Sequence, residues 1–99
     1  MILVAGTVKY QAGAIAKLKT AMQTVVAATR REDGCINYDF AVDVTAPDTL
    51  IIFERWRDQK ALDTHIQSAH VAEWRKAGAE VGPAERNLSV WTVEEGRKL

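Results

Sequence analysis

The segment Leu50–His70 reads LIIFERWRDQKALDTHIQSAH and changes within a few residues from an apolar run to a charged stretch. Its start, Leu50–Phe53, is rich in β-branched and aromatic residues and predicts a strand buried on both faces. The later part carries both histidines of the chain, His65 and His70, and its apolar residues return at helical spacing. We interpret the segment as a central strand leading into a helix, with a small-molecule site where the two meet.

Hydrophobic periodicity assigns the other elements. Alternating or solidly apolar runs predict four strands, at Ile2–Tyr10, Cys35–Val42, Thr49–Arg57 and Asn87–Val93. Apolar residues three and four apart predict a helix over Ala14–Glu32, which Gly34 closes in a left-handed conformation, and a second helix from an Asp58 N-cap to about Ala77. Ser68 is a second candidate N-cap, which leaves open two short helices in place of one long helix.

The turn-rich segment Asp43–Asp48 joins the second and third strands as a hairpin, with Ile36 and Tyr38 on the apolar face of the second strand. The resulting order βαββαβ predicts one α+β domain over residues 1–99, with a ferredoxin-like antiparallel sheet in which the third strand lies beside the first. Two helices cover only one face of such a sheet. Because the central strands are apolar on both faces, we expect a homodimer whose two sheets pack face to face.

Composition narrows the class of protein. The 13 Lys and Arg residues balance the 13 Asp and Glu residues and are scattered, so nucleic acid is not an expected partner. Cys35 is the only cysteine, which excludes an internal disulfide and fits a reducing cytoplasm. No run reaches the ~20 apolar residues of a membrane span, and the apolar start Met1–Gly6 is shorter than a signal sequence needs. We expect a soluble, cytoplasmic protein.

His65 and His70 are the natural candidates for acid–base chemistry, because imidazole titrates near neutral pH. On one continuous helix, residues five apart are separated by about 140°, so we expect the two histidines at opposite borders of the buried stripe and no shared metal. Either histidine also fits a structural hydrogen bond. Glu54 and Trp56 share a face of the buried strand, and Glu54 is either in a salt bridge with an arginine or a site carboxylate of raised pKa.

Several local patterns together resemble the antibiotic biosynthesis monooxygenase (ABM) domain family. They cover nearly the whole chain and are Glu32-Asp33-Gly34-Cys35-x-x-Tyr38, Pro47-Asp48 before a strand ending Glu54-x-Trp56, and Ala61-Leu62-x-x-His65-x-x-Ser68-x-His70. The closest similarity is to the quinol monooxygenases, which match at the Gly-Cys, Glu-x-Trp and two-histidine positions. Thr7, His65 and Arg75 stand where haem-degrading members carry Asn, Trp and His, so the resemblance does not extend to haem degradation.

The resemblance implies a dimeric α+β barrel with a pocket between sheet and helices, and oxidation of a quinol- or polyketide-like hydroxyaromatic by O₂ without a cofactor. His65 is then the expected base, with His70 or Glu54 as its orienting or proton-relay partner. Tyr38, Trp56 and Trp74 are the expected substrate-binding walls. Two alternatives stay open: an isomerase or other acid–base enzyme that needs no oxygen, and a ligand-binding dimer without activity.

Overall fold

The computed structural model describes all residues, Met1–Leu99, as four strands and three helices. In chain order these are β1 (Ile2–Lys9), α1 (Ala14–Arg30), β2 (Cys35–Asp43), β3 (Ala46–Trp56), α2 (Gln59–Ile66), α3 (Ala69–Glu80) and β4 (Glu85–Thr92). The strands form one sheet in the order β2-β3-β1-β4, and every neighbouring pair is antiparallel. The predicted ferredoxin-like α+β architecture is confirmed, including the placement of the third strand beside the first.

Strand β3 has two different faces. Leu50, Ile52 and Trp56 are buried on the side that the helices cover, whereas Ile51 and Phe53 on the other side are 40% and 38% exposed. Strand β3 is interior because β2 and β1 pair with its two edges, and this explains its apolar character. Strand β3 therefore carries apolar side chains on both faces, as the sequence predicted, while the second subunit that would cover the outer face stays a prediction.

The core beneath α2 is built around Trp56, which is fully buried. It forms one cluster with Ile2 and Val4 of β1 and with Ala61 and Leu62 of α2. Burying an aromatic ring of this size removes a large apolar area from water and fixes α2 against the end of β3. The packing sets the position of the α2 residues that follow, including His65.

The pattern of the second strand was predicted wrongly at its start. A bulge between Cys35 and Asn37 shifts the register, so that Cys35 pairs with Trp56 and packs against the core, while Ile36 is 49% exposed. An extra residue in one strand reverses the alternation on one side of the bulge, and period-two counting from Tyr38 therefore places Ile36 on the wrong face.

The hairpin between β2 and β3 is tighter than predicted. Its turn consists of Val44 and Thr45, and Pro47 already belongs to β3. The Asp43 carboxylate accepts hydrogen bonds from the backbone N–H and the hydroxyl of Thr45, at 2.8 and 2.7 Å. An aspartate that bonds two residues ahead closes a turn locally, so the longer loop is unnecessary.

The helical segment after β3 is two helices, which resolves the alternative that the sequence left open. Asp58 caps α2 by accepting from the Ala61 N–H at 2.9 Å, and Ser68 caps α3 by accepting from the Val71 N–H at 3.3 Å. The Ser68 hydroxyl also donates to the carbonyl of His65 at 2.7 Å, which ties the two helices together. No helix of the chain is both long enough and apolar enough to cross a membrane.

Gly34 adopts the left-handed conformation expected of it, with φ of 85°, in the turn between α1 and β2. A Cβ at this position would lie 2.6 Å from the Cβ of Ala61, whereas one at Gly13, with φ of 80°, would meet nothing within 4 Å. We expect Gly13→Ala to lower the free energy of unfolding by about 1–2 kcal/mol through backbone strain alone. Gly34→Ala is expected to lower the free energy of unfolding by about 1–3 kcal/mol more than Gly13→Ala does, because the added Cβ overpacks against Ala61. Urea denaturation measures both values.

The Gly13 variant is the matched control, because it changes the same backbone conformation without the contact. Equal losses of stability in the two variants would contradict the idea that Gly34 is required for the close approach of the α1–β2 turn to α2.

Candidate active site

A cavity of about 280 Å³ lies between the helix-covered face of the sheet and helices α2 and α3. Ten of its fourteen lining residues are hydrophobic, and its polar side chains include Glu54, His65, Arg75 and Arg86. A second cavity of about 300 Å³ shares Trp74 and both arginines with the first, so the two adjoin. An apolar cavity with a few convergent polar groups is the usual form of a small-molecule site.

His65 is the best-placed base in this cavity. Its side chain lies in the last turn of α2, the residue is 4% exposed, and its Nδ1 is 2.7 Å from the Oε2 of Glu32. A neutral imidazole that donates from Nδ1 to a carboxylate presents Nε2 as an acceptor. Nε2 of His65 makes no hydrogen bond and keeps some contact with solvent. Only two side-chain polar atoms are both sealed from solvent and without a partner, and these are Thr29 Oγ1 and His70 Nε2.

Burial keeps His65 neutral despite its acidic neighbour. Desolvation lowers the pKa of His65 below its ordinary value, and the hydrogen bond and charge of Glu32 only partly oppose this effect. The positive charges of Arg75 and of a protonated His70 lower the pKa further. His65 is therefore a neutral hydrogen-bond acceptor toward the cavity, in the state that a general base requires.

His70 does not lie where a continuous helix would put it. Because the helix breaks before Ser68, the rings of His65 and His70 come within 6.0 Å of each other, and the expectation of opposite borders is wrong. The Nε2 of His70 lies 3.3 Å from the Oε1 of Glu32, without the geometry of a hydrogen bond. His70 does not line the cavity, and no hydrogen bond joins its ring to the ring of His65.

Glu54 lies in the cavity wall, 7% exposed, and its carboxylate accepts a hydrogen bond of 2.9 Å from the indole N–H of Trp56. It makes no salt bridge, so the expected alternative of an arginine partner does not hold. Desolvation raises the pKa of Glu54, the Trp56 hydrogen bond lowers it, and the charge of Glu32 raises it again. Glu54 is thus a carboxyl of the cavity wall whose charged form is disfavoured by burial.

Of the three aromatic residues expected to line the cavity, two do so and one does not. Tyr38 and Trp74 line the cavity, whereas Trp56 is fully buried behind Glu54 and does not. The Tyr38 ring packs edge-on against His65, with centroids 5.1 Å apart, and burial strongly raises the pKa of its phenol. Tyr38 therefore keeps its proton and offers the site an aromatic wall.

Three site residues were not identified from the sequence. Glu32 lies in the turn after α1 and contacts His65 across 33 residues, so no local spacing reveals it. Arg75 of α3 and Arg86 of β4 line both cavities and form no ion pair with any carboxylate. Their signal in the sequence, two arginines among many scattered charges, is indistinguishable from that of ordinary surface residues.

The sequence model of the family described as antibiotic biosynthesis monooxygenase matches residues 1–77. This stretch includes every predicted site residue. The chain belongs to this family. The fold and the pocket between sheet and helices agree with what the resemblance implied.

Individual relatives are similar over different shares of their length. An uncharacterized protein of Synechocystis is 29% identical over 98 residues, which are 99% of this chain and 67% of that protein. Rv0793 of Mycobacterium tuberculosis, named as a candidate monooxygenase, is 37% identical over 65 residues, which are 66% of this chain and 60% of that protein. The matched part thus leaves about a third or more of each relative uncovered.

Solved structures agree over almost the whole chain. A structure from Deinococcus radiodurans, titled as a candidate antibiotic biosynthesis monooxygenase, superposes with a TM-score of 0.88 at 25% identity and covers 100% of this chain and 98% of its own. The structure of Rv0793 gives a TM-score of 0.83 at 26% identity, with 98% of each chain covered. The architecture described above is therefore the architecture of the family.

Replacing Glu54 by Gln removes a buried charge and keeps an oxygen to accept from Trp56. A group whose pKa is raised by folding favours the folded state most at low pH, and this contribution is lost as pH rises through its folded pKa. We expect the stability of Glu54→Gln relative to the parent to increase from about pH 4 to pH 8, as measured by urea denaturation across that range.

Glu73→Gln is the matched control, because Glu73 is an exposed carboxylate on α3. A parallel pH profile for the Glu54 and Glu73 variants would show that Glu54 is not desolvated as described.

Proposed function

We propose that the chain is a cofactor-independent monooxygenase that oxidises a quinol- or polyketide-like hydroxyaromatic with O₂, using His65 as the general base. One observation carries the proposal: the buried His65 lines an apolar cavity with aromatic walls, its Nδ1 is bonded to Glu32, and its Nε2 has no hydrogen-bond partner and is not sealed from solvent. Family membership supports monooxygenase chemistry, and the site supports the finer statement about substrate and base.

The first step is proton removal. Nε2 of His65 takes the hydroxyl proton of the substrate, and the carboxylate of Glu32 stabilises the imidazolium that forms. Glu32 is a positioning residue here, because it acts through the ring that it orients. The mostly apolar lining of the cavity lowers the local dielectric, which strengthens the electrostatic interaction between the substrate anion and the arginines that line it.

The deprotonated aromatic then reacts with O₂ directly. For an anthrone-like ring, the CH₂ group loses two hydrogens and gains one oxygen as a carbonyl, and the second oxygen atom leaves as water. The four electrons that reduce O₂ come from the substrate, so the balance needs no further reductant. The protein supplies the base, the apolar cavity with its aromatic walls, and the cations Arg75 and Arg86, which line it.

Glu54 and His70 have supporting positions in this scheme. Glu54 lies in the cavity wall, and because desolvation raises the pKa of its carboxyl, the protonated form can donate a hydrogen bond to a substrate oxygen. His70 lies beside Glu32 and is suited to relay the proton outward from the carboxylate, because its side chain is 24% exposed compared with 6% for His65.

The same proposal includes a cytoplasmic homodimer. On the uncovered face of the sheet, Ile51, Phe53 and Trp91 are 38–47% exposed. Exposed apolar side chains on a central strand are costly to leave in water, and the same face of a second copy is self-complementary. We infer that two sheets pack through this face.

Oxygen uptake with a panel of hydroquinones and anthrones tests the activity. We expect turnover by the parent chain, and His65→Ala is expected to lower kcat by about 10²–10⁴-fold because the general base is lost. The control is Thr64→Ala, since Thr64 is an exposed neighbour on α2 that bonds only to the Lys60 carbonyl.

Three results would contradict the assignment. Turnover that is unaffected by His65→Ala would show that His65 is not the general base. Activity that persists without oxygen indicates an isomerase or another acid–base enzyme, and aromatic ligands that bind without any product indicate a ligand-binding dimer.

Sedimentation velocity tests the dimer. We expect the parent to sediment as a dimer and Phe53→Lys as a monomer, because a charge in the centre of an apolar interface cannot be solvated. Val44→Lys makes the same type of change at the fully exposed hairpin turn and is expected to remain dimeric. A monomeric parent would overturn the inference.

A further inference from the structure

The helix break places three metal-binding groups together beside the cavity. Nδ1 of His65, Nε2 of His70 and the carboxylate of Glu32 all lie within 4.8 Å of one another. The carboxylate stands between the rings, with one oxygen 2.7 Å from His65 and the other 3.3 Å from His70. The three side chains come from the α1–β2 turn, α2 and α3, so only the folded chain assembles them.

His70 contributes an observation that the proposed chemistry does not require. Its Nε2 is sealed from solvent, faces Glu32, and makes no hydrogen bond. A buried polar atom without a partner is destabilising by about 1–3 kcal/mol, and such atoms are rare in native proteins. An ion bound between the imidazole nitrogen and the carboxylate satisfies both groups.

The donor set has the chemistry of a transition-metal site. Two imidazole nitrogens and one carboxylate oxygen suit Zn²⁺ and Fe²⁺, which accept mixed nitrogen and oxygen ligands. With bonds of ~2.0–2.1 Å, ligand atoms around a tetrahedral ion lie ~3.3 Å apart. The three donor atoms lie within 4.8 Å of one another, so no two of them need to approach by more than about 1.5 Å to reach that spacing.

We propose that Glu32, His65 and His70 bind one divalent transition-metal ion, and that the bound ion switches off His65 as a base. The metal replaces the Nδ1 proton of His65, and the remaining proton of the neutral ring must then lie on Nε2. A ring metallated at Nδ1 is a hydrogen-bond donor toward the cavity and has no lone pair for the substrate proton. The binding site stands by itself, whereas the switch rests on the proposed function.

Binding is tested with Zn²⁺ and Co²⁺ on the purified chain. Calorimetry is expected to give one Zn²⁺ per chain, and Co²⁺ is expected to give the visible absorption of a low-coordinate nitrogen–oxygen site. His70→Gln and Glu32→Gln remove a direct ligand, so each is expected to weaken Zn²⁺ binding by more than the roughly 10–100-fold that loss of an outer-shell partner costs.

Two controls separate this site from others. Glu73→Gln removes an exposed carboxylate on the same helix as His70, and Cys35→Ser removes the only thiol. Both are expected to bind Zn²⁺ like the parent. Far-UV circular dichroism confirms that each variant is folded, and Zn²⁺ is expected to raise the Tm of the parent but not of folded His70→Gln.

The outcomes distinguish the site from the switch. Absence of stoichiometric binding, or equal affinity in the parent and folded His70→Gln, overturns the site. Zn²⁺ that binds without slowing oxygen uptake overturns the switch alone. Zn²⁺ binding by a chain without oxygenase activity supports the site and contradicts the proposed function, so the two failures are separable.

Discussion

The hydrogen bond between Glu32 and His65 is the constraint on which the arrangement of the site depends. It joins the turn after α1 to the end of α2 across 33 residues and is part-buried, with the His65 side chain 6% and the Glu32 side chain 16% exposed. Inside a protein such a charge-assisted bond is strong, and either partner left alone would be costly. The bond therefore requires the α1–β2 turn to approach α2 closely, which explains why Gly34, without a Cβ, faces Ala61.

Two opposing effects set the protonation of the site. A carboxylate at 2.7 Å raises the pKa of an imidazole, but burial lowers it, and here burial is the larger effect for His65. Burial also acts on Glu54 and Tyr38, whose pKa values rise, so both favour their neutral forms. In the cavity, burial thus disfavours charge on these two side chains. The cations Arg75 and Arg86 give the cavity a positive edge.

Much of the fold was predictable because its signals are local. The solid apolar run of β3 identified a central strand, and the Asp58 and Ser68 caps are confirmed because a capping side chain bonds within its own first turn. Ile36 was misplaced because a bulge changes the register without changing composition. The site was less predictable. The separation of His65 and His70 assumed a continuous helix, and Glu32 is a partner that only the tertiary fold brings close.

Strand β3 contributes residues both to the cavity and to the proposed dimer interface. Its helix-side residues Ile52 and Glu54 line the cavity, and the intervening Ile51 and Phe53 form the uncovered face. Because neighbouring positions on one strand point to opposite faces, a shift of the register by one residue would exchange the cavity wall with the proposed interface. The pairing of β3 with β1 on one side and β2 on the other fixes that register. The same backbone hydrogen bonds thus hold both the cavity wall and the apolar face.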